Sequence, residues 1–340
     1  MARIALDAMG GDHAPQATVA GALLALAELD PAHSIQLVGS TPVVEEQLRS
    51  LLAGELASHA VHRDRLSIIE APEVVEMNDK PTAAVRGKPN SSMAVGLRLQ
   101  TEGQSDAFVS AGSTGAQMVA STVLLRLHAG VARPAIVTLF PSARNPVAVL
   151  DSGANVDCSA EELVTFARLG ATYVECVLGR SNPAVGLLSI GEEPEKGNAV
   201  TKEAHQLLEA SDLNFIGNVE GRDLPLGGTE TQDVDVVVCD GFVGNVVLKF
   251  YEAVAPLMIG TLREVGITAQ QLEEGLKHLD YSEVGGAPLL GVKGVSIISH
   301  GKSNARAIKN AVKVAAQAVV SGMNDQIGAR LAAASGETAA

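Results

Sequence analysis

Short apolar runs rich in β-branched residues alternate along this chain with longer stretches of helical periodicity, and this alternation narrows the possible folds most. The runs predict ten strands, at residues 3–7, 34–38, 66–70, 106–110, 135–139, 147–151, 185–190, 214–217, 234–239 and 295–299. The stretches between them predict helices at 15–29, 43–53, 92–100, 115–127, 160–178, 199–210, 244–265 and 303–321. Strands that alternate with helices indicate a mostly parallel sheet with helices on both faces, so the expected class is α/β.

The chain shows neither an internal repeat nor a linker rich in Pro, Gly and Ser that would divide it. We therefore expect one continuous α/β domain over residues 1–328, in which two lobes are possible. Residues 329–340 are rich in Ala, Ser and Gly, and they are predicted to form a disordered tail.

The charge balance and the cysteines exclude several classes of protein. Lys and Arg number 25 against 39 Asp and Glu, a net charge of −14, so nucleic acid is not an expected partner. Cys158, Cys176 and Cys239 are far apart, and no His-Glu-x-x-His is present, so we expect no disulfide framework and no metal.

The apolar stretches are shorter than the ~18–20 residues that span a bilayer, which predicts a soluble, cytoplasmic protein.

Polar and glycine-rich loops follow the predicted strands, where ligands bind in open α/β sheets. They lie at residues 7–15, 110–115, 151–157, 191–198, 240–245 and 300–304. The turns at 110–115 and 240–245 would direct backbone N–H groups at one point in front of a helix, which favours an anion such as phosphate. The alternative is that these turns only connect strands to helices, as any α/β protein requires.

These loops hold the candidate acids and bases, which are Asp7, Asp12, His13, Asp151, Asp157, Lys196, Asp240 and His300. A carboxylate at a strand end often accepts backbone N–H groups in a structural role. Lys196 is suited to clamp an anion, although a solvated surface lysine is the alternative. Nucleotide and hydrolase signatures do not occur: the chain has no Gly-x-Gly-x-x-Gly and no Gly-x-Ser-x-Gly, and Ser296 stands where a P-loop ending at residue 303 needs glycine.

Taken in order, the motifs of this chain resemble those of the bacterial phosphate acyltransferases. The matching segments are IALDAMGGDHAP at 4–15, NSSM at 90–93, SAGSTGA at 110–116, DSGANVD at 151–157, GLLSIGE at 186–192, KGN at 196–198, FIGNVEGRD at 215–223, DVVVCDGFVGNV at 235–246, GGA at 285–287 and HG at 300–301. The resemblance covers about residues 3–325. Several long matches in the same order are far more specific than any single glycine loop.

The resemblance implies an enzyme that makes acyl-phosphate from acyl-acyl-carrier-protein and inorganic phosphate, at the head of phospholipid synthesis. It implies a three-layer α/β/α sandwich with a mostly parallel sheet, similar to phosphotransacetylases and to isocitrate- and isopropylmalate-dehydrogenase-like folds. A homodimer that needs no cofactor is implied as well. By analogy with phosphotransacetylases, phosphate attacks the thioester directly, without a covalent acyl-enzyme.

The family's catalytic Lys and Asn correspond to Lys196 and Asn245. Lys196 would neutralise phosphate and the developing oxyanion, Asn245 would donate its amide, and backbone N–H groups of residues 112–115 and 241–245 would hold phosphate. The residues expected to bind phosphate or substrate are Asp7, Gly10, Gly11, Asp12, His13, Ser110, Gly112, Ser113, Thr114, Gly115, Asp151, Asn155, Asn198, Asp240, Gly241, Gly244 and His300.

The chain departs from the family pattern at three positions. Ser113 stands where the family usually has Asn, Ser152 where Val is common, and Val284 where Tyr is common. The first change is expected to alter a hydrogen bond in the anion loop.

Two surfaces carry hypotheses about partners. Val254, Leu257, Met258, Leu262 and Val265 form an apolar stripe, and residues 287–291 add a second apolar feature, which is expected to be a loop. Leu257 and Met258 are predicted to contact a membrane, or a membrane-bound glycerol-3-phosphate acyltransferase; the alternative is a core or dimer interface. A basic stripe is predicted at Lys302, Arg306, Lys309 and Lys313, of which the last three would dock the acidic carrier protein. The alternative there is a solvated helix face.

Two rival functions come from other classes. One is a metal- and NAD-dependent decarboxylating dehydrogenase on the same fold. We find in the sequence no set of residues that would bind its nucleotide and no set of carboxylates that would bind its divalent metal. The other is a lipid-sensing or scaffold protein without catalysis.

Overall fold

The computed structural model describes residues 1–264, 268 and 285–334. The chain divides into two compact units: the first comprises Met1–His128 and Ser282–Asn324, and the second comprises Ala129–Tyr281 and Asp325–Ala340. The chain thus leaves the first unit after His128 and returns to it at Ser282. No change of composition marks these crossings, which is why the sequence showed no boundary there.

Twelve strands are present in the described residues and are numbered in chain order. They are β1 (Arg3–Asp7), β2 (Ser34–Gly39), β3 (Leu66–Glu70), β4 (Ala107–Ser110), β5 (Ala135–Ile136), β6 (Thr138–Phe140), β7 (Val147–Leu150), β8 (Val185–Leu188), β9 (Phe215–Val219), β10 (Val236–Val238), β11 (Ala287–Leu290) and β12 (Val295–Ile298).

The helices are numbered in the same way. They are α1 (Gln16–Glu28), α2 (Thr41–Ala53), α3 (Pro81–Gly87), α4 (Ser92–Thr101), α5 (Thr114–Leu124), α6 (Ala160–Leu178), α7 (Ala199–Glu209), α8 (Asp223–Leu226), α9 (Gly241–Glu264), α10 (Ala305–Val320) and α11 (Met323–Ala334), with a 3₁₀ helix at Ala57–Arg65.

The sheet of the first unit contains strands in the order β3-β2-β1-β4-β12-β11. Neighbours are parallel except β11, which runs antiparallel to β12. Every residue of β4 and of β12 is buried, as in parallel sheets that are covered on both faces. The order places the ends of β1, β4 and β12 side by side.

The sheet of the second unit has the order β6-β7-β10-β8-β9, in which only β6 is antiparallel to its neighbour. All residues of β7 and β10 are buried. Helix α6 packs against both strands and begins with a capping box, in which Ser159 and Glu162 bond to each other's backbone N–H. The ends of β7, β10 and β8 therefore lie next to one another.

The α/β class and the ten predicted strands are confirmed, with residues 135–139 divided between β5 and β6. Strand β11 falls where an apolar loop was expected. The prediction of a disordered tail from residue 329 is wrong for 329–334, because α11 continues to Ala334. Ile327 and Leu331 of that helix are buried, and their burial stabilises it.

Candidate functional site

The predicted site loops converge at the carboxyl ends of adjacent strands, as one group in each unit. In the first unit the loops follow β1, β4 and β12, which are parallel neighbours. In the second unit they follow β7, β10 and β8, also parallel neighbours. Two sets of candidate residues result, and each is described within its own unit.

Asp7 holds the first-unit loops together from a buried position. Its Oδ2 accepts the Ser110 hydroxyl at 2.7 Å, and its Oδ1 accepts the Met9 N–H at 3.0 Å. Ser110 Oγ in turn accepts the Gly112 N–H at 3.0 Å. Burial raises the pKa of Asp7, against hydrogen bonds that lower it. Asp7 is 2% exposed and acts through Ser110 on the loop after β4.

The two glycines after Asp7 are required by close packing. A Cβ at Gly10 would lie 2.6 Å from Asp7 Oδ2 and 2.9 Å from both Ser110 Oγ and the Gly112 nitrogen. Gly11 has a φ of +103°, which disfavours any side chain. The next residue, Asp12, donates its N–H to the Gly301 carbonyl at 2.7 Å. The loops after β1, β4 and β12 are thus joined directly.

Helix α5 begins at the end of the second of these loops. Ser113 is its N-cap and accepts the Ala116 N–H at 3.4 Å. Ser and Asn are both preferred at this position, so the departure at Ser113 preserves the cap. Thr114 is exposed at the first turn, and Gly115 lies against Pro81.

The two histidines of these loops differ in exposure. His13 is exposed, whereas His300 is half-buried and accepts the Lys302 N–H on Nδ1 at 3.1 Å.

Asp151 is the corresponding buried carboxylate of the second unit. Its Oδ1 accepts the N–H groups of Ile136 and Ala154 at 3.1 and 3.0 Å. Its Oδ2 accepts the backbone and side-chain N–H groups of Asn155 at 2.6 and 2.9 Å. Burial raises the pKa of Asp151, and these four bonds oppose that rise. Both side chains therefore build the loop and do not face solvent.

Glycines 241 and 244 bring α9 against that loop. A Cβ at Gly241 would lie 2.7 Å from Asp151 Oδ2, and one at Gly244 would overlap the Asp151 carbonyl. Asp240 accepts the Val243 N–H at 2.8 Å and so caps α9. Asn245, the fifth residue of α9, is exposed, and its Oδ1 lies 3.4 Å from the Cβ that Gly153 would carry. Its amide therefore lies near the start of the helix, close to the loop of Asp151.

Several backbone N–H groups expected to hold phosphate are already bonded within the protein. Gly112 donates to Ser110 Oγ, Gly241 donates to the Asn155 carbonyl at 2.7 Å, and Gly244 donates to the Asp240 carbonyl at 3.0 Å. These three N–H groups therefore have acceptors within the protein, and their glycines allow close packing of the loops.

Lys196 is exposed on the loop after β8. Its N–H donates to the Glu193 carbonyl at 3.0 Å, and its Cγ lies 2.9 Å from the Cβ that Gly191 would carry. A surface cavity of about 450 Å³ adjoins this loop, lined by Gly191, Glu192, Glu193, Glu220 and Arg222.

Asn198 ends the same loop as the N-cap of α7, because its Oδ1 accepts the Thr201 N–H at 2.8 Å. Its observed role is structural.

Lys196 and Asn245 follow the neighbouring parallel strands β8 and β10. Within the described ranges no hydrogen bond joins them, and no group of three or more His, Cys, Asp and Glu side chains is placed to hold a metal. Sequence reasoning missed Asn218, whose side chain reaches the Lys196 loop by donating to the Glu193 carbonyl at 2.8 Å. Its position in the FIGNVEGRD segment was the available signal.

The apolar stripe of α9 is largely exposed. Leu257 and Met258 are 69% and 42% exposed, and Phe242, Val246 and Phe250 extend the face toward the helix start. Val254 and Leu262 are half-buried, whereas Val265, like Val284, lies outside the described residues. By length and composition alone α9 would suffice to cross a bilayer, but a single such helix is weak support for a membrane span.

The basic stripe is shorter than predicted, and two of its lysines form ion pairs within the protein. Asn304 caps α10, so Lys302 precedes the helix and does not belong to its face. Lys309 and Lys313 each bind a Glu28 oxygen at 2.6 Å. These ion pairs reduce the net positive charge available to a partner.

Three comparisons place these features among known proteins. The family model described as fatty acid synthesis protein matches residues 2–326. The phosphate acyltransferase of Desulforamulus reducens is 49% identical over 333 residues, 95% of this chain and 95% of the relative.

Two solved structures share the fold. A phosphotransacetylase from Streptococcus pyogenes has a TM-score of 0.63 at 18% identity, over 94% of both chains. A putative 4-hydroxythreonine-4-phosphate dehydrogenase from Salmonella typhimurium has a TM-score of 0.52 at 15% identity, over 93% of this chain and 99% of that one. The expected relation to phosphotransacetylase and dehydrogenase-like folds is thereby confirmed. Identity over nearly the whole length decides the family: this chain belongs to the fatty acid synthesis protein family as one of its phosphate acyltransferases, and it is an acyltransferase.

Proposed function

We propose that this protein transfers the acyl group of acyl-acyl-carrier-protein to inorganic phosphate and so supplies acyl-phosphate for phospholipid synthesis. The observation that carries the proposal is 49% identity to a phosphate acyltransferase over 95% of the chain. The order of the loop motifs and the position of Lys196 and Asn245 after adjacent strands are consistent with it.

The reaction needs positioned donors more than a nucleophile from the protein. A phosphate oxygen attacks the thioester carbonyl carbon, and the carbonyl oxygen gains negative charge in a tetrahedral intermediate. Collapse of the intermediate re-forms the carbonyl, breaks the C–S bond and releases the carrier protein's thiolate, which then takes up a proton. Donors aimed at the developing oxyanion lower this barrier.

Lys196 and Asn245 supply these donors in the proposal. The exposed Lys196 ammonium neutralises phosphate and the oxyanion, and Asn245 donates its side-chain amide at the start of α9. Gly112, Gly241 and Gly244 use their N–H groups internally, so in the proposal the backbone contact to phosphate is assigned to Thr114 and Gly115 in the first turn of α5. Asp7 and Asp151 act by shaping the loops.

The proposed partners are the carrier protein at Arg306, Lys309 and Lys313, a second copy of this chain, and a membrane surface at Leu257 and Met258. A cytoplasmic protein with peripheral membrane contact would pass its insoluble product to a membrane-bound glycerol-3-phosphate acyltransferase. The exposed apolar face of α9 supports this localisation.

The direct test incubates the protein with palmitoyl-acyl-carrier-protein and phosphate and measures acyl-phosphate and free carrier thiol. Equal amounts of both are expected. Free thiol without acyl-phosphate would indicate a thioesterase and overturn the proposal. Formation of reduced nicotinamide would favour the dehydrogenase, and carrier binding without turnover would favour the scaffold.

A further inference from the structure

A line of hydrogen bonds connects a buried histidine to the loop that carries Lys196. His205 of α7 and Asn218 of β9 are 6% and 4% exposed, and His205 Nδ1 lies 3.0 Å from Asn218 Oδ1. Asn218 Nδ2 donates to the Glu193 carbonyl at 2.8 Å. The same carbonyl accepts the Lys196 N–H at 3.0 Å. One carbonyl oxygen thus ties Lys196 to the interior of the second unit.

The chemistry of these groups determines which one donates and which one accepts in each hydrogen bond. A carbonyl can only accept, so the amide group of Asn218 that faces Glu193 is the NH₂. The Asn218 oxygen therefore faces His205, which must donate from Nδ1. The His205 ring is itself held edge-on against Phe215, with centroids 5.1 Å apart and planes at 76°. His205 thereby sets which way the Asn218 amide points.

This tie matters because the loop around Lys196 is otherwise exposed. Glu192, Glu193 and Lys196 all lie at the surface. The loop has a second contact with the segment that follows β9, the ion pair of Glu192 with Arg222 at 3.1 Å. The two side chains are 55% and 66% exposed. Exposed ion pairs hold a loop weakly. The buried amide is the firmer anchor.

We infer that Asn218, oriented by His205, is a positioning residue that holds Lys196 in place through the Glu193 carbonyl. The inference rests on the proposed function for what Lys196 does, whereas the tether itself concerns the loop alone. Neither residue is placed to touch substrate. Their effect on catalysis is exerted entirely through the position of Lys196.

The test replaces the donating amide of Asn218 with a carboxylate of nearly the same size. Asn218→Asp keeps an oxygen for His205 and puts a second oxygen against the Glu193 carbonyl. We expect kcat for acyl-phosphate formation to fall about 10- to 100-fold, since a misplacement of ~1 Å can cost that much. KM for the carrier protein should stay within about twofold, because the tether does not touch the carrier. The matched control is Asn214→Asp, immediately before β9, where the side chain donates to the Asn182 carbonyl at 3.0 Å. It should behave as wild type.

A double variant separates positioning from general damage. If Asn218 acts through Lys196, then Lys196→Ala with Asn218→Asp should be no slower than Lys196→Ala alone. Multiplied losses would overturn the inference.

Amide hydrogen exchange of residues 191–197 provides a readout that does not depend on acyl transfer. Exchange there should be faster in Asn218→Asp than in the wild type or in Asn214→Asp. Unchanged exchange in a folded variant would overturn the inference. If the wild type made no acyl-phosphate but the loop still loosened, the proposed function would fail and the tether would stand.

A second pair of variants tests the same line from His205. His205→Asn keeps an N–H near the Nδ1 position, whereas His205→Leu does not. The Leu variant should reproduce the loss of kcat and the faster exchange, and the Asn variant should restore a large part of both. Equal behaviour of the two variants would contradict an orienting role for His205.

Discussion

The Ser110 hydroxyl donates to Asp7 Oδ2 at 2.7 Å, across 103 positions of sequence. The bond joins the ends of β1 and β4, which pair in parallel with Leu6 opposite Val109. Both partners are buried, and Ser110 passes the connection on to the Gly112 N–H. The carboxylate therefore shapes a glycine-rich loop that belongs to a different strand.

Removing either proposed donor should slow acyl transfer without unfolding the protein. Lys196→Ala and Asn245→Ala should each lower kcat by about 10²–10³, the usual loss for one oxyanion donor. Both residues are exposed, so thermal unfolding should be nearly unchanged. Lys202→Ala, an exposed lysine in α7, is the control. A wild-type rate for Lys196→Ala would remove that residue from the mechanism.

Gly10→Ala should destabilise the first unit by about 1–3 kcal/mol, because its Cβ would meet Asp7 Oδ2, Ser110 Oγ and the Gly112 nitrogen. The matched control is Gly87→Ala at the end of α3, where nothing lies within 4 Å of the added Cβ. That variant should gain about 0.4–1 kcal/mol from the lower entropy of the unfolded chain. Urea unfolding measures both. Similar effects of the two changes would show that the contacts at Gly10 do not matter.

The stability contributed by Asp7 should depend on pH. Burial raises its pKa, so the folded state binds the proton more tightly than the unfolded state. The contribution is complete below the ordinary Asp pKa and is lost as pH rises through the raised value. Asp7→Asn does not titrate, so the destabilisation it causes should be largest in acid and should shrink toward neutral pH. Free energies of unfolding across that range test this, and a constant difference would argue against a raised pKa.

The apolar face of α9 should bind lipid. Changing Leu257 and Met258 to Glu should release the protein from anionic liposomes and leave activity in a detergent-free soluble assay intact. The control changes Val61 and Met77 to Glu, since both are also exposed apolar residues, at 74% and 52%. Cosedimentation measures binding. Equal binding of the α9 variant and the wild type would assign this face to another contact.

The basic residues of α10 should recognise the acidic carrier protein. Changing Arg306, Lys309 and Lys313 to Glu should raise KM for the carrier several-fold and flatten its salt dependence, because long-range attraction is lost. KM for phosphate should barely move. Glu28→Gln is the complementary change: it frees two ammonium groups from their ion pairs and should lower the carrier KM. If neither variant alters carrier KM, the docking surface lies elsewhere.

The regular elements were predictable where burial is continuous. Strands β7 and β10 read as VAVL and VVV, and such uninterrupted apolar runs identify strands covered on both faces. Strand β11 was not predicted: it has four residues, and Pro288 among them lacks the backbone N–H that a strand ladder uses. Helices α3 and α8 have seven and four residues, too few to display a period.

The site was predictable to the level of loops. Residues that end neighbouring strands converge for topological reasons, so the strand pattern alone grouped the loops that hold Lys196 and Asn245. The catalytic role expected for these two residues came from the family resemblance. The role of each polar group was not predictable, because it depends on distant partners such as the Asn155 carbonyl that accepts the Gly241 N–H. Asn198 and Asp240 precede helices and act as caps, a use that their position alone already favoured.

The return of the chain to the first unit at Ser282 has a consequence for biosynthesis. Strand β12 lies beside β4 in the finished sheet, yet the ribosome makes it only after residues 129–281 have been completed. During that interval β4 presents the unpaired N–H and C=O groups of an open sheet edge, which other chains can join. We therefore expect the nascent protein to need protection at β4 until residue 298 has emerged from the ribosome, and we expect chains truncated before that point to aggregate more readily.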